Sequence, residues 1–208
     1  MTDSAQTQEL IRAVEQADSP ARLVAAVRSL AAAKIEAGIP TLIAVFGYNN
    51  PVAAVAAVEG LIQLGGSAVQ PLMEHLDEYN YGARAYSIRA LAAIADPRAL
   101  DVLITAAATD FAPSVRRAAA KGLGILHWSK LDAEERSSGQ AKALQTLLSV
   151  SQDPDWSIRY AAVVGLQELA TTPDLKGQVQ TQLEQITQTD TDPAVRARVS
   201  LAQQLLSP

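Results

Sequence analysis

Four arginines, Arg84, Arg116, Arg159 and Arg196, recur at one position of a repeating pattern, and Asp110, Asp153 and Asp190 each stand six residues ahead of one of them. Most of the aromatic side chains fall close by: Tyr48, Tyr79, Tyr81, Phe111 and Trp156 lie in or just after turns between helical stretches. Guanidinium groups take carboxylates in bidentate fashion, and flat rings stack on other flat rings. These residues suit a planar, acidic ligand. They also suit a second role, in which carboxylates sit at helix N-termini, arginines tie successive turns together and the rings seal the ends of helix pairs. Residue types alone support both.

Other chemistry is excluded. The chain has no cysteine, so it offers no disulfide, no thiolate zinc site and no cysteine nucleophile. Its two histidines, His75 and His127, lie far apart and build neither a metal-binding helix nor a Cys-His pair. Both read as surface or helix-end residues, and no metal site is predicted. Gly65-Gly66 fits a helix stop and Gly122-Leu123-Gly124 lies within a helical pattern, so no phosphate-cradling loop appears. A formal charge of -5 speaks against a nucleic-acid scaffold. The start of the chain lacks the basic and apolar runs of a secretory signal, and no apolar stretch approaches the roughly 20 residues of a membrane span. The expectation is a soluble cytoplasmic protein.

The elements that position these residues are helices. Aromatics make up only 4% of the chain and alanine is abundant, which suits closely spaced helices and not a β-sandwich. Residues 5–17 read as a polar amphipathic helix, stopped by Asp18-Ser19-Pro20; the next runs to about Ala37. Thereafter second helices of helix pairs begin near residues 51, 82, 112, 155 and 193 and align by a small residue and a leucine: Gly60-Leu61, Ala90-Leu91, Gly122-Leu123 and Gly165-Leu166. Val115, Ala118, Ala119, Gly122, Leu123 and Leu126 share one helical face, and Ile158, Ala161, Ala162, Gly165, Leu166 and Leu169 repeat it. In the last copy Arg198 and Gln203 take apolar positions, as a terminal repeat facing water would allow. Residues 21–37 are apolar over more than one face, which calls for cover from a second subunit or from another helix of the chain.

The predicted fold is all-α, a right-handed α-α superhelix of about six helix pairs forming one HEAT-like repeat solenoid over residues 1–208. Residues 1–38 form N-terminal capping helices, 39–126 the first repeats, 127–140 a polar insert, and 141–208 the C-terminal repeats and cap.

Asp96-Pro97, Ala99-Leu100, Leu103 and then Val115-Arg116-Arg117-Ala118-Ala119-Ala120 with Gly122-Leu123 resemble the HEAT-like repeats named after phycobilisome lyases, over roughly residues 39–206. The stretch from Tyr79 to Gly124, with the chain length and the insert carrying Trp128, is similar to the smaller, F-type subunit of the heterodimeric E/F phycobilin lyases, in particular those for the phycocyanin α-subunit. The resemblance implies a larger E-type partner subunit and phycocyanobilin as a bound substrate, with no resident cofactor. It also implies the phycocyanin α-subunit of a cyanobacterium as acceptor, through one of its cysteines. Isomerising relatives carry a His-Cys pair where this chain reads Tyr79-Asn80-Tyr81-Gly82-Ala83-Arg84, so simple attachment is implied here. A non-enzymatic adaptor that binds a phycobiliprotein or another partner is the alternative.

For such a bilin, rings would stack on aromatics and two propionates would meet arginines. The candidate substrate-binding residues are Tyr79, Asn80, Tyr81, Arg84, Tyr86, Arg89, Arg116, Arg117, Trp128, Trp156 and Arg159, centred on Tyr79 to Tyr86, where the repeat departs from its consensus. Asp110 and Tyr81 are the candidates for holding pyrrole N–H groups or handling the proton.

Overall fold

The computed structural model describes residues 2–76 and 80–207. Among them are twelve α-helices, joined by turns that include four short 3₁₀ segments, and no strand. The chain divides into two compact units, Met1–Ile94 and Ala95–Pro208.

The first unit contains α1 (Thr2–Glu15), α2 (Pro20–Ala33), α3 (Ile39–Ala44), α4 (Pro51–Leu64), α5 (Gly66–Glu74) and α6 (Tyr81–Ile94). Helix starts follow local chemistry. Ser19 accepts from Arg22 N ahead of Pro20, Asn50 accepts from Ala53 N at 3.1 Å ahead of Pro51, and Asn80 accepts from Ala83 N at 3.0 Å. Asn50 also donates its side-chain amide to the Pro20 carbonyl, tying the start of α4 to the start of α2. Small residues set the helix spacing: a Cβ on Gly60 would lie 2.5 Å from Ala31 Cβ, so α2 and α4 meet at a point that admits only glycine. Val27, Leu30 and Ala31 of α2 are buried, where the helix packs against α1 and α4, while Ala25, Ala32 and Ala33 stay exposed.

The second unit contains α7 (Leu100–Thr109), α8 (Pro113–Gly124), α9 (Ala133–Val150), α10 (Trp156–Leu169), α11 (Pro173–Thr189) and α12 (Pro193–Leu206). Its second helices α8, α10 and α12 pack side by side, with α8 against α10 and α10 against α12. Val115, Ala119, Gly122 and Leu123 of α8 and Ile158, Ala161, Ala162, Gly165 and Leu166 of α10 are buried, so the face read from the periodicity is the core face. The α8–α10 contact is very close. A Cβ on Gly124 would sit 2.3 Å from the Gly165 carbonyl oxygen, and one on Gly165 2.4 Å from that of Ala120.

Residues 127–140 are ordered rather than a simple polar loop. A 3₁₀ turn, Trp128–Lys130, leads to Asp132, which forms a reciprocal capping box with Glu135 and starts the 18-residue α9. Gly139 and Gln140 at the end of the stretch are buried. The turn that opens this unit is held by Asp96, whose buried carboxylate accepts from Arg98 N and Nε and from Lys130 Nζ. These bonds, Arg98 first, hold its pKa far below the usual carboxylate range against the opposing effect of burial.

Arg198 differs from the sequence expectation: it is only 7% exposed. It does not meet water as an outer-face residue. Its Nη2 donates to Gln167 Oε1 at 2.7 Å, because α12 turns this position toward α10, while Nη1 has no partner.

Candidate functional site

The arginine and aspartate ladder resolves into two kinds of arginine. Arg116 pairs with Asp153, the aspartate one repeat further on, and its Nε donates to the Ala107 carbonyl. Arg159 makes the same move one repeat later: Nε and Nη2 meet the two Asp190 oxygens at 2.7 and 2.9 Å, and Nη1 reaches the Asp153 and Pro154 carbonyls. The Asp190 carboxylate is held below the usual range, chiefly by Arg159. These two arginines are about one-fifth exposed at the side chain and are spent on joining repeats. Asp110 behaves like Asp153 and Asp190 toward its own turn, accepting from Ala112 N at 2.8 Å where Asp155 N and Asp192 N are held in the other two.

Arg117, the next residue on α8, points elsewhere. It lines a groove of about 670 Å³ in the second unit together with Lys121, Asp155, Trp156, Ser157, Tyr160 and Ala194. Arg117 and Lys121 lie one turn apart on α8; Trp156 and Tyr160 lie one turn apart on α10, so each pair faces the same way. Arg117 Nη1 donates to Ser157 Oγ at 2.9 Å, and Ser157 in turn donates its Oγ–H and its N–H to Asp155 Oδ1, at 2.7 and 2.8 Å. The Ser157 bonds, with the charge of Arg117 behind them, lower the Asp155 pKa and keep the carboxylate ionised. Trp156 is 49% exposed and Lys121 makes no ion pair among the described residues. The arrangement offers two cations on one wall, two rings on the other and one carboxylate at the start of α10.

The remaining predicted residues are placed separately. Trp128 is not in this groove; its ring lies over Gly139, where an added Cβ would be 3.0 Å from Cζ3, and seals α9. In the first unit Tyr81 opens α6, is 42% exposed and carries the Arg84 guanidinium 6.0 Å from its ring centre. Tyr86 is half-buried against Phe46, ring centres 5.5 Å apart, so it packs; Arg89 is exposed on α6. Asn80 caps α6 and lines a smaller cavity of about 350 Å³ with Phe46, Gly47, His75, Ala83 and the buried, unpartnered Ser87 hydroxyl. His75 is a helix-end residue, its Nδ1–H donating to the Pro71 carbonyl at 2.8 Å. Tyr79 lies outside the described residues.

Of the residues chosen from sequence, the second-unit groove therefore collects Arg117 and Trp156 and leaves out Arg116, Arg159, Trp128 and Asp110. It adds Lys121, Asp155, Ser157 and Tyr160. A signal for them existed: Lys121 stands four residues after Arg117, and Asp155-Trp156-Ser157 is an N-cap followed by a ring. No metal-ligating cluster occurs among the described residues, and no helix there is long and apolar enough to cross a membrane.

Helix pairs with this small-residue packing define a HEAT-repeat protein, and HEAT-repeat family patterns match residues 69–138 and 143–172, with the PBS lyase HEAT-like repeat matching 53–78. The chain is 64% identical, over 95% of its length and 98% of the relative's, to the phycocyanobilin lyase subunit beta of Nostoc sp.. It is 56% identical over 78% of its length and 76% of the relative's to the phycocyanin alpha phycocyanobilin lyase CpcF of Synechocystis sp.. The solved complex of CpcE and CpcF of phycocyanin lyase from Nostoc contains a chain that matches it at 65% identity and a TM-score of 0.78, over 80% of this chain and 98% of that one. The chain belongs to the phycocyanobilin lyase subunit beta family.

Proposed function

We propose that the chain is the smaller subunit of a heterodimeric bilin lyase, working with a larger E-type subunit to attach phycocyanobilin to a cysteine of the phycocyanin α-subunit. The near full-length identity to a phycocyanobilin lyase subunit beta carries this reading. The match to a chain of the CpcE and CpcF complex supports the heterodimer. Phycocyanobilin is a substrate here, and no resident cofactor is needed. An acceptor and partner of this kind support a cytoplasmic location in a cyanobacterium, beside its phycobilisomes.

The chain has no thiol, so the nucleophile is the acceptor's cysteine. Its sulfur bonds to the ethylidene carbon of ring A and its proton ends on the ring system; nothing leaves, and no oxidant is required. The lyase then has to hold an easily oxidised, flexible tetrapyrrole in one extended geometry with ring A presented. Such positioning supplies a large part of a barrier reduction. In the second unit, Trp156 and Tyr160 give ring-stacking surfaces and Arg117 meets a propionate. In the first, Tyr81 with Arg84, near Asn80 and Arg89, forms a second exposed aromatic and basic surface. Arg116 ties α8 to the turn before α10, and Arg159 ties α10 to the turn before α12.

The experiment is reconstitution of the covalent adduct from this chain, the larger subunit, phycocyanobilin and the apo-α-subunit. Adduct that depends on this chain supports the assignment; adduct of the same yield and product without it removes it.

A further inference from the structure

The second-unit groove carries one cation that neither the repeat nor the packing uses. Arg117 is held by Ser157, and Arg116 is consumed by Asp153. Lys121, exposed and without an ion pair among the described residues, lines the groove one turn beyond Arg117. A helical turn separates such neighbours by about 6 Å along the axis. The two propionates of a linear tetrapyrrole hang from its two inner rings on the same edge of the molecule, with a similar separation.

We infer that Arg117 and Lys121 form a two-cation clamp that reads both propionates of the bilin, with Lys121 setting the preference for the free dicarboxylic acid. The inference rests on the bilin-lyase reading and deepens it. Three further features of the groove agree. Trp156 and Tyr160 on α10 provide flat faces for the rings whose carboxylates reach toward α8. Asp155, with Oδ1 occupied by the two bonds from Ser157, presents a carboxylate that repels other carboxylates and accepts from N–H donors. The groove is thus polarised, with the propionate edge on the α8 wall and the N–H edge toward the first turn of α10. The chain as a whole carries a formal charge of -5, so these cations form a local attraction for an anionic ligand and not part of a general basic surface. A polarised groove also fixes which edge of the tetrapyrrole faces the protein, and with it the direction in which ring A extends.

The test uses the purified complex of this chain with its larger subunit, titrated with phycocyanobilin and with its dimethyl ester and followed by visible absorbance. Wild type binds the acid at least tenfold more tightly than the ester. Lys121→Met weakens acid binding about tenfold and leaves ester binding unchanged, while Lys121→Arg retains the preference; unchanged circular dichroism separates this from misfolding. Equal binding of acid and ester by wild type, or a Lys121→Met variant with undiminished preference, overturns the clamp. The two readings fail separately. If adduct formation does not need this chain but the acid preference persists, the clamp stands and the lyase assignment falls. If adduct formation needs the chain but no preference exists, the clamp falls and the assignment stands.

Discussion

Replacing Gly124 by alanine tests the packing that positions the groove. Gly124 is the last residue of α8, where alanine gains at most the roughly 1 kcal/mol it holds over glycine in a helix interior. Here the new Cβ meets backbone: it would lie 2.3 Å from the Gly165 carbonyl oxygen, 2.7 Å from Gly165 Cα and 2.9 Å from its carbonyl carbon. No flexible side chain can yield, so α8 and α10 must separate by about 1 Å to restore ordinary contact distances near 3.5 Å. Overpacking of this kind costs roughly 1–3 kcal/mol, which exceeds the propensity gain. We expect a net loss of up to about 2 kcal/mol, or up to roughly 4–8 °C in thermal midpoint for a chain of this size. Bilin binding by the complex should also weaken, since Arg117 and Lys121 ride on α8 and Trp156 and Tyr160 on α10. Gly177→Ala is the control. It lies inside α11 with nothing within 4 Å of its built Cβ, and should stabilise by up to about 1 kcal/mol. The measurements are thermal melts by far-UV circular dichroism and a bilin titration. A Gly124→Ala protein as stable as the Gly177→Ala control would refute the close-contact argument.

Asp96→Asn should cost on the order of 2 kcal/mol at neutral pH, because it weakens charge-assisted bonds from Arg98 and Lys130 to a buried carboxylate. The folded-state pKa of Asp96 lies below its unfolded value, so its stabilisation is complete above about pH 4 and disappears as pH falls below that. Denaturant midpoints measured down that range should therefore fall more steeply in wild type than in the variant; parallel curves would show that Asp96 is not the group involved. Arg159→Ala should lose about 3 kcal/mol, since it leaves the buried Asp190 carboxylate without its bidentate partner. Arg117→Ala should change stability by under about 1 kcal/mol yet reduce adduct formation, so the same pair of assays separates an arginine that joins repeats from one that faces the groove. Equal stability losses in the two variants would erase that distinction.

Helix placement was legible in the sequence because its signals are local. Ser19-Pro20 and Asn50-Pro51 are cap and first-turn pairs, and the small residue with leucine at Gly122-Leu123 and Gly165-Leu166 marks the buried stripe. Pairing across repeats was less legible. Asp153 precedes Arg159 in sequence by six residues, but it pairs with Arg116 of the preceding repeat, because stacking brings one turn over the next. Arg198 illustrates the same limit: an arginine at an apolar position reads as exposed, while the structure buries it beside Gln167, whose side chain gives it a hydrogen bond. The polar residues after Trp128 concealed a helix start because Asp132 and Glu135 read as surface charge unless taken together as a capping box. Likewise the groove depends on two helices distant in sequence, so Lys121 and Asp155 became visible as partners of Arg117 and Trp156 only once α8 and α10 were side by side.

The decisive measurement is the initial rate of adduct formation on apo-α-phycocyanin, with adduct scored by visible absorbance after denaturation. Larger subunit and phycocyanobilin are held constant while this chain is supplied, left out, or replaced by Trp156→Ala. A bilin-binding lyase subunit gives fast formation of a single phycocyanobilin product with the chain, a rate at the uncatalysed background without it, and an intermediate rate for a folded Trp156→Ala protein. The same rate and the same product in all three reactions would contradict that role.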